Sequence, residues 1–104
     1  MSVRQGDIWW VESPGEKGRP AMVLTRDMAI DLLNTVLVAP LTSRIRGIPT
    51  EVVLGAADGV ARPCAATFDN ISTLPRAHLI RRAGRLADGR WHEVCAALGA
   101  TIDC

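Results

Sequence analysis

"TVLVAPLTSRIRGIPTEVVL", Thr35 to Leu54, holds the two segments on which the fold turns. Its first part, Thr35–Thr42, is a near-continuous apolar run, the pattern of a strand buried on both faces. Its last part, Ile48–Leu54, alternates, placing Glu51 and Val53 on one face and Val52 and Leu54 on the other. Further strands lie on either side. "DIWWV" (Asp7–Val11) has β-branched and aromatic residues and stops at the turn residues Ser13 to Gly15. "PAMVLT" (Pro20–Thr25) opens on proline, which a strand tolerates at its first position. Arg26–Asn34 has a brief helical period, enough for one or two turns. Asp58-Gly59 signals a turn, Pro63–Asn70 a strand ending in polar residues, and Leu79–Leu86 a charged edge strand. The tail changes period: Trp91, Val94, Cys95 and Leu98 fall at i, i+3, i+4 and i+7, one face of an amphipathic helix. The expected fold class is therefore mainly β with a C-terminal helix, a small twisted barrel carrying the helix on its side.

The 104 residues make one domain's worth of chain, residues 1–104, with no internal repeat or linker. At 48% hydrophobic the chain has enough apolar surface to fold, which excludes intrinsic disorder. Its net charge of +1 decides nothing about partners, but the cations are uneven, with eleven arginines against the single Lys17. Arginine is a permanently charged planar fork suited to phosphate, although arginine-rich codon usage gives the same bias. Cys64, Cys95 and Cys104 lack metal-ligand spacing and read as buried or terminal thiols of a reducing compartment. No signal peptide and no membrane-length apolar stretch is visible, so the expected location is cytoplasmic.

The chemistry classes narrow quickly. His78 and His92 lie fourteen residues apart, and Cys95 on the inward helix face would ligate a metal poorly together with an outward His92, so no metal or other cofactor is expected. There is no phosphate-binding glycine loop, and no serine stands in a recognisable relation to a histidine. A protein that cuts RNA can do without such a nucleophile, because the substrate's own 2′-hydroxyl attacks; what it needs is an electrostatic clamp and help with proton movement. Three segments offer suitable groups. Arg19 precedes Pro20, which forces an extended backbone and aims the arginine from the mouth of a strand. Thr42, Ser43, Arg44 and Arg46 emerge from the most buried strand. Asp69 and Asn70 stand in "TFDNIST" (Thr67–Thr73). Each is also readable as a turn or a solvated loop. Trp9 or Trp10 could stack on a base, although alternation favours burying one and setting the other against a partner subunit. Arg76, Arg81, Arg82, Arg85 and Arg90 read as a solvated or partner-facing edge.

Taken in order, "RQGDIWWVE", "GRPAMVLTRD", "TVLVAPLTSRIRGIPTEVVL" and "CAATFDNISTLPRAHLIRRAGRL" resemble the MazF/PemK family of toxin ribonucleases, and the match covers nearly the whole chain. The resemblance implies an SH3-like, CcdB-like barrel, a homodimer, and metal-independent, sequence-specific cleavage of single-stranded RNA. It also implies a cognate antitoxin whose acidic, extended tail covers the RNA groove. Arg19 and Thr42 match the family's catalytic arginine and threonine. Ser43, Arg44 and Arg46 fall in the loop lining the groove, Asp69 and Asn70 match an acidic-amide pair beside it, and Lys17 joins them as a candidate RNA contact. Two features depart from the pattern. The loop "SPGEKG" is shorter than usual, so base preference does not carry over. Thr67 also stands where some members have an arginine. A CcdB-like DNA gyrase poison is the alternative on the same fold, but it would not need Arg19 and Thr42 together. A plain SH3-like adaptor would need more aromatics than one phenylalanine and three tryptophans.

Overall fold

A computed structural model describes residues 2–103. Seven antiparallel strands form one strongly twisted, unclosed, barrel-like sheet, and a C-terminal helix packs on it. The strands are β1 (Asp7–Val11), β2 (Arg19–Val23), β3 (Thr35–Thr42), β4 (Glu51–Leu54), β5 (Cys64–Thr67), β6 (Ser72–Pro75) and β7 (Leu79–Arg85). They lie in the order β4, β5, β3, β2, β1, β7, with β6 also on β3. The helices are α1 (Asp27–Ile30), a single turn, and α2 (Trp91–Ile102).

β1 and β3 have the boundaries that their sequences suggest. β2 begins one residue earlier than the apolar pattern, because Arg19 still pairs with Val11. β4 is shorter than the alternating run: Ile48–Thr50 form a turn in which the Ile48 carbonyl accepts from the Glu51 N–H. The polar end expected for β5 is a 3-10 turn, Phe68–Asn70.

The centre of the sheet is buried on both faces, which is why β3 reads as a near-continuous apolar run. Successive residues of β1 and β2 go to opposite sides. Ile8 and Met22 join Ala39, Val52, Leu54, Ala66 and Phe68 beneath α2, which contributes Val94 and Ala97. Trp9, Ala21 and Val23 join Val36, Val38 and Leu79 on the other side, closed by Ile30 of α1. Trp9 is the tryptophan that alternation buries, and its indole N–H donates to Asp7 Oδ2 at 3.3 Å. The face of α2 corrects one expectation. Ala97, rather than Cys95, points inward with Val94, and Cys95 is exposed, since the contact stripe runs through positions 91, 94, 97 and 98. Cys64 is half-buried, and burial, with the charge of Asp58, pushes its thiol up from the ordinary value. Cys104 lies outside the described residues.

The arginines assigned to a solvated edge are in fact divided. Arg85 pairs with fully buried Asp7 at 2.8 Å. Arg90 grips buried Asp58 at 2.9 Å and Glu93 at 2.7 Å, and donates to the Val53 carbonyl. Arg76 donates to the Ile30 carbonyl, so it ties β6 to α1. Only Arg81 and Arg82 of the group are exposed. Where β7 crosses the turn at Asp58-Gly59, Gly84 lies against the Asp58 carbonyl with no room for a Cβ, so a side chain there would force the two segments apart. Among the described residues no helix is long and apolar enough to cross a membrane.

Candidate functional site

The ladder between β2 and β3 pairs Val23 with Val38, Met22 with Ala39 and Ala21 with Pro40. Continued by two residues, the same register sets Arg19 opposite Thr42, on the face that carries Ala21 and Pro40. The ladder with β2 ends at Pro40, and over the same stretch β3 changes its other neighbour. Its first half pairs with β6 as far as Val38, opposite Ser72; its last two residues pair with β5, Leu41 opposite Ala66 and Thr42 opposite Ala65. Pro40 occupies the stretch between these two partners, where a strand can do without a backbone N–H.

The gap left at this change of partners is a cavity of about 480 Å³. Val11, Ala21, Val38, Pro40, Leu41 and Leu74 make its apolar floor, and Ser13, Glu16, Lys17, Arg19, Thr42, Thr67, Asn70 and Ser72 make its polar rim. Arg19 and Lys17 are exposed and, among the described residues, have no carboxylate within ion-pair distance. That separates Arg19 from Arg85 and Arg90, whose charges are spent inside the fold. Thr42 Oγ1 accepts the Arg44 N–H at 3.2 Å, which fixes the oxygen at the strand end and leaves its own proton free to donate. Asn70 Nδ2 donates to Thr67 Oγ1 at 3.4 Å, holding two rim groups together.

Of the residues that the sequence singles out, the cavity gathers Arg19, Thr42, Lys17 and Asn70. Ser43, Arg44 and Arg46 do not line it; they stand on the exposed loop after β3, where the Glu51 carboxylate anchors the chain by accepting the Arg46 and Gly47 N–H groups. Asp69 is also outside the lining, accepting the Thr50 hydroxyl at 2.6 Å. Three rim residues, Ser13, Glu16 and Ser72, had no sequence signal of their own, and Thr67 was marked only as a departure from the family pattern. Ser13 Oγ also meets His78 Nδ1 at 3.1 Å, across sixty-five positions of sequence, a serine–histidine relation that the sequence does not show. His92 is exposed, its Nδ1 on the Gly89 carbonyl. The rim is a small basic clamp with hydroxyl and amide donors and one carboxylate, over an apolar floor. Such a set suits an anionic group attached to a flat apolar one.

Comparison with known proteins fits that description. The chain is 43% identical over 101 residues to a protein of Mycobacterium tuberculosis named "Probable endoribonuclease MazF5", covering 96% of this chain and 93% of that one. The solved structure of Mycobacterium tuberculosis toxin MazF-mt6 superposes with a TM-score of 0.86 at 33% identity, over 93% of this chain and 96% of that chain. A MazE-MazF crystal structure from Deinococcus radiodurans, 26% identical, superposes with a TM-score of 0.80 over 100% of this chain and 99% of that one. Matching its pattern from residue 4 to residue 102, the chain belongs to the family of PemK-like, MazF-like toxins of type II toxin–antitoxin systems.

Proposed function

We propose that this toxin is a metal-independent, sequence-specific endoribonuclease that cuts single-stranded RNA at the Arg19–Thr42 cavity. The observation that carries the reading is that an uncommitted arginine and a strand-end threonine line one open cavity. The 2′-oxygen of the nucleotide attacks the adjacent phosphorus. The bond to the 5′-oxygen of the next nucleotide breaks, leaving a 2′,3′-cyclic phosphate and, once the departing oxygen takes a proton from solvent, a 5′-hydroxyl. Arg19 stabilises the charge that gathers on the phosphoryl oxygens. A guanidinium offers donors and no acceptor, so Arg19 acts as a clamp and not as a base. Thr42 donates to a non-bridging oxygen or orients the nucleophile. Glu16, the one carboxylate lining the cavity, would receive the 2′ proton.

An unpaired strand is required because an A-form duplex hides its base edges and resists in-line attack. The apolar floor and Asn70 and Ser72 suit a base, and Lys17 suits a flanking phosphate. Ser43, Arg44, Arg46 and Asp69 would meet RNA beyond the cavity. Family membership and the MazE-MazF structure support an antitoxin partner; its acidic extended tail would neutralise Lys17 and Arg19 and cover the cavity, and a homodimer would be the working unit. Freed of antitoxin in the cytoplasm, the toxin would cut cellular RNA, stopping translation and growth.

The reading is tested by mixing purified toxin with a long single-stranded RNA in EDTA and mapping the cut ends. Discrete cuts with cyclic-phosphate ends are expected. Intact RNA from folded, antitoxin-free protein would contradict it, and inhibition of gyrase supercoiling would then identify the poison that shares this fold. Within the same assay Thr42→Val, which keeps the shape and removes the donor, lowers kcat by about a hundredfold, and Thr42→Ser recovers most of it.

A further inference from the structure

Among the described residues no ion-pair partner holds the Arg19 guanidinium, so its aim has to be set through its backbone. Behind that backbone lies an indole. Trp10 pairs with Pro20 on one side and with Arg81 of β7 on the other. By strand alternation its side chain leaves the sheet on the face away from Val11 and Arg19. The ring is half-buried and held twice: the Arg81 guanidinium carbon lies 5.3 Å from its centroid, and Nε1 donates to Glu12 Oε1 at 3.2 Å. Gly18, the residue before Arg19, lies along the Nε1–Cε2–Cζ2 side of this indole. A Cβ there would meet those atoms at 2.5, 2.8 and 2.9 Å, closer than side-chain carbons pack. The same loop contains a glycine required by its backbone, Gly15 at φ +79°, but Gly18 has no positive φ. Glycine is needed at position 18 for the space that the indole takes.

We propose that Trp10, clamped by Arg81 and Glu12, is the positioning residue for Arg19: Gly18 seats the loop on the indole, and the seat fixes where the guanidinium stands over the cavity. The inference rests on the catalytic reading of Arg19. It gives Trp10 a part in turnover rather than a surface for stacking a base, since Arg81 covers its ring and Gly18 its edge. Because Arg19 acts on the transition state, loosening the seat lowers kcat and leaves KM nearly unchanged.

The test compares kcat and KM on one RNA oligonucleotide for wild type, Arg19→Ala, Gly18→Ala, Trp10→Phe, Trp10→Ala and the Gly18→Ala/Trp10→Ala pair. Fluorine NMR of 5-fluorotryptophan-labelled protein follows the indole, whose resonance is the one missing from Trp10→Phe. Gly18→Ala is expected to shift that resonance and to lower kcat by about 10–100-fold, the range for a misplaced catalytic group, with KM within about threefold. Trp10→Phe, which keeps an aromatic seat, retains most of kcat. Trp10→Ala loses about as much as Gly18→Ala, and the pair loses no more than either, because both remove one contact. An unchanged kcat in Gly18→Ala, additive losses in the pair, or an effect confined to KM would each overturn the proposal, the last making Trp10 an RNA contact. Should Trp10→Ala not fold, Gly18→Ala on its exposed loop and Trp10→Phe still decide it. An active Arg19→Ala would instead defeat the catalytic reading, and the NMR shift would still report the seat.

Discussion

Arg19→Ala lowers kcat/KM for RNA cleavage by about a thousandfold, near 4 kcal/mol of transition-state stabilisation, and leaves the protein folded. Both halves of this expectation come from the same fact. The guanidinium is exposed and has no ion-pair partner among the described residues, so its removal strands no buried charge. All of its interaction energy is available to a phosphate. Arg19→Lys keeps the charge and loses the planar fork, and falls between wild type and alanine. Initial rates on a single-stranded oligonucleotide, with thermal melts of each variant, check the claim. A melt shifted as far as the rate would make Arg19 a structural residue.

Asp58→Ala has the opposite signature: about 3 kcal/mol of lost stability, with the chemistry of the remaining folded molecules untouched. The Asp58 carboxylate is buried and takes hydrogen bonds from the Gly55 and Ala87 N–H groups and from Arg90. Truncation orphans two backbone donors and half of a buried ion pair, while the cavity lies on other strands. For a chain of this size the loss lowers Tm by about 12 °C or more. Burial pushes the Asp58 pKa up, but the two N–H groups and Arg90 outweigh it and hold it below the ordinary carboxylate value; Glu93 is held low by the hydrogen bond from Arg90. A carboxylate depressed in the folded state stabilises it above the unfolded pKa, near 4, and that contribution drains away as pH falls through the folded value. Tm should therefore drop below about pH 4 in the wild type and drop less steeply in Asp58→Asn. A parallel decline in the two proteins would remove Asp58 from the acid response.

Strand identity was legible where burial dictated composition. Val36, Val38 and Ala39 face two cores in turn, so β3 could only be a continuous apolar run. β6 was not legible: "STLP" is largely exposed, and it is a strand because the edge of β3 beside Thr35–Val38 needs a partner, a tertiary cause with no local pattern. Cys95 was misassigned to the inner face of α2 because a helical period fixes a stripe only to within about one position, and the small Ala97 gives no hydrophobic peak. For the site, Pro20 and the end of an apolar strand marked Arg19 and Thr42. The sequence held no sign that they face each other, since that follows from the register of β2 on β3. Glu16 reaches the rim from the loop before β2, and Thr67 and Ser72 reach it from β5 and β6, which pair with β4 and β3. Arg85 and Arg90 looked like surface charge because their partners, Asp7 and Asp58, lie far away in sequence.

The central claim is that the substrate brings its own nucleophile to the Arg19–Thr42 cavity. Its most direct test is a pair of oligonucleotides containing one mapped cut site, identical except for a single 2′-deoxy nucleotide on the 5′ side of the scissile phosphate. This one missing oxygen is expected to abolish cleavage at that bond while the oligonucleotide still binds and competes with its all-ribose twin. Continued cutting of the deoxy strand would contradict it, since the attacking oxygen would then come from the protein or from water.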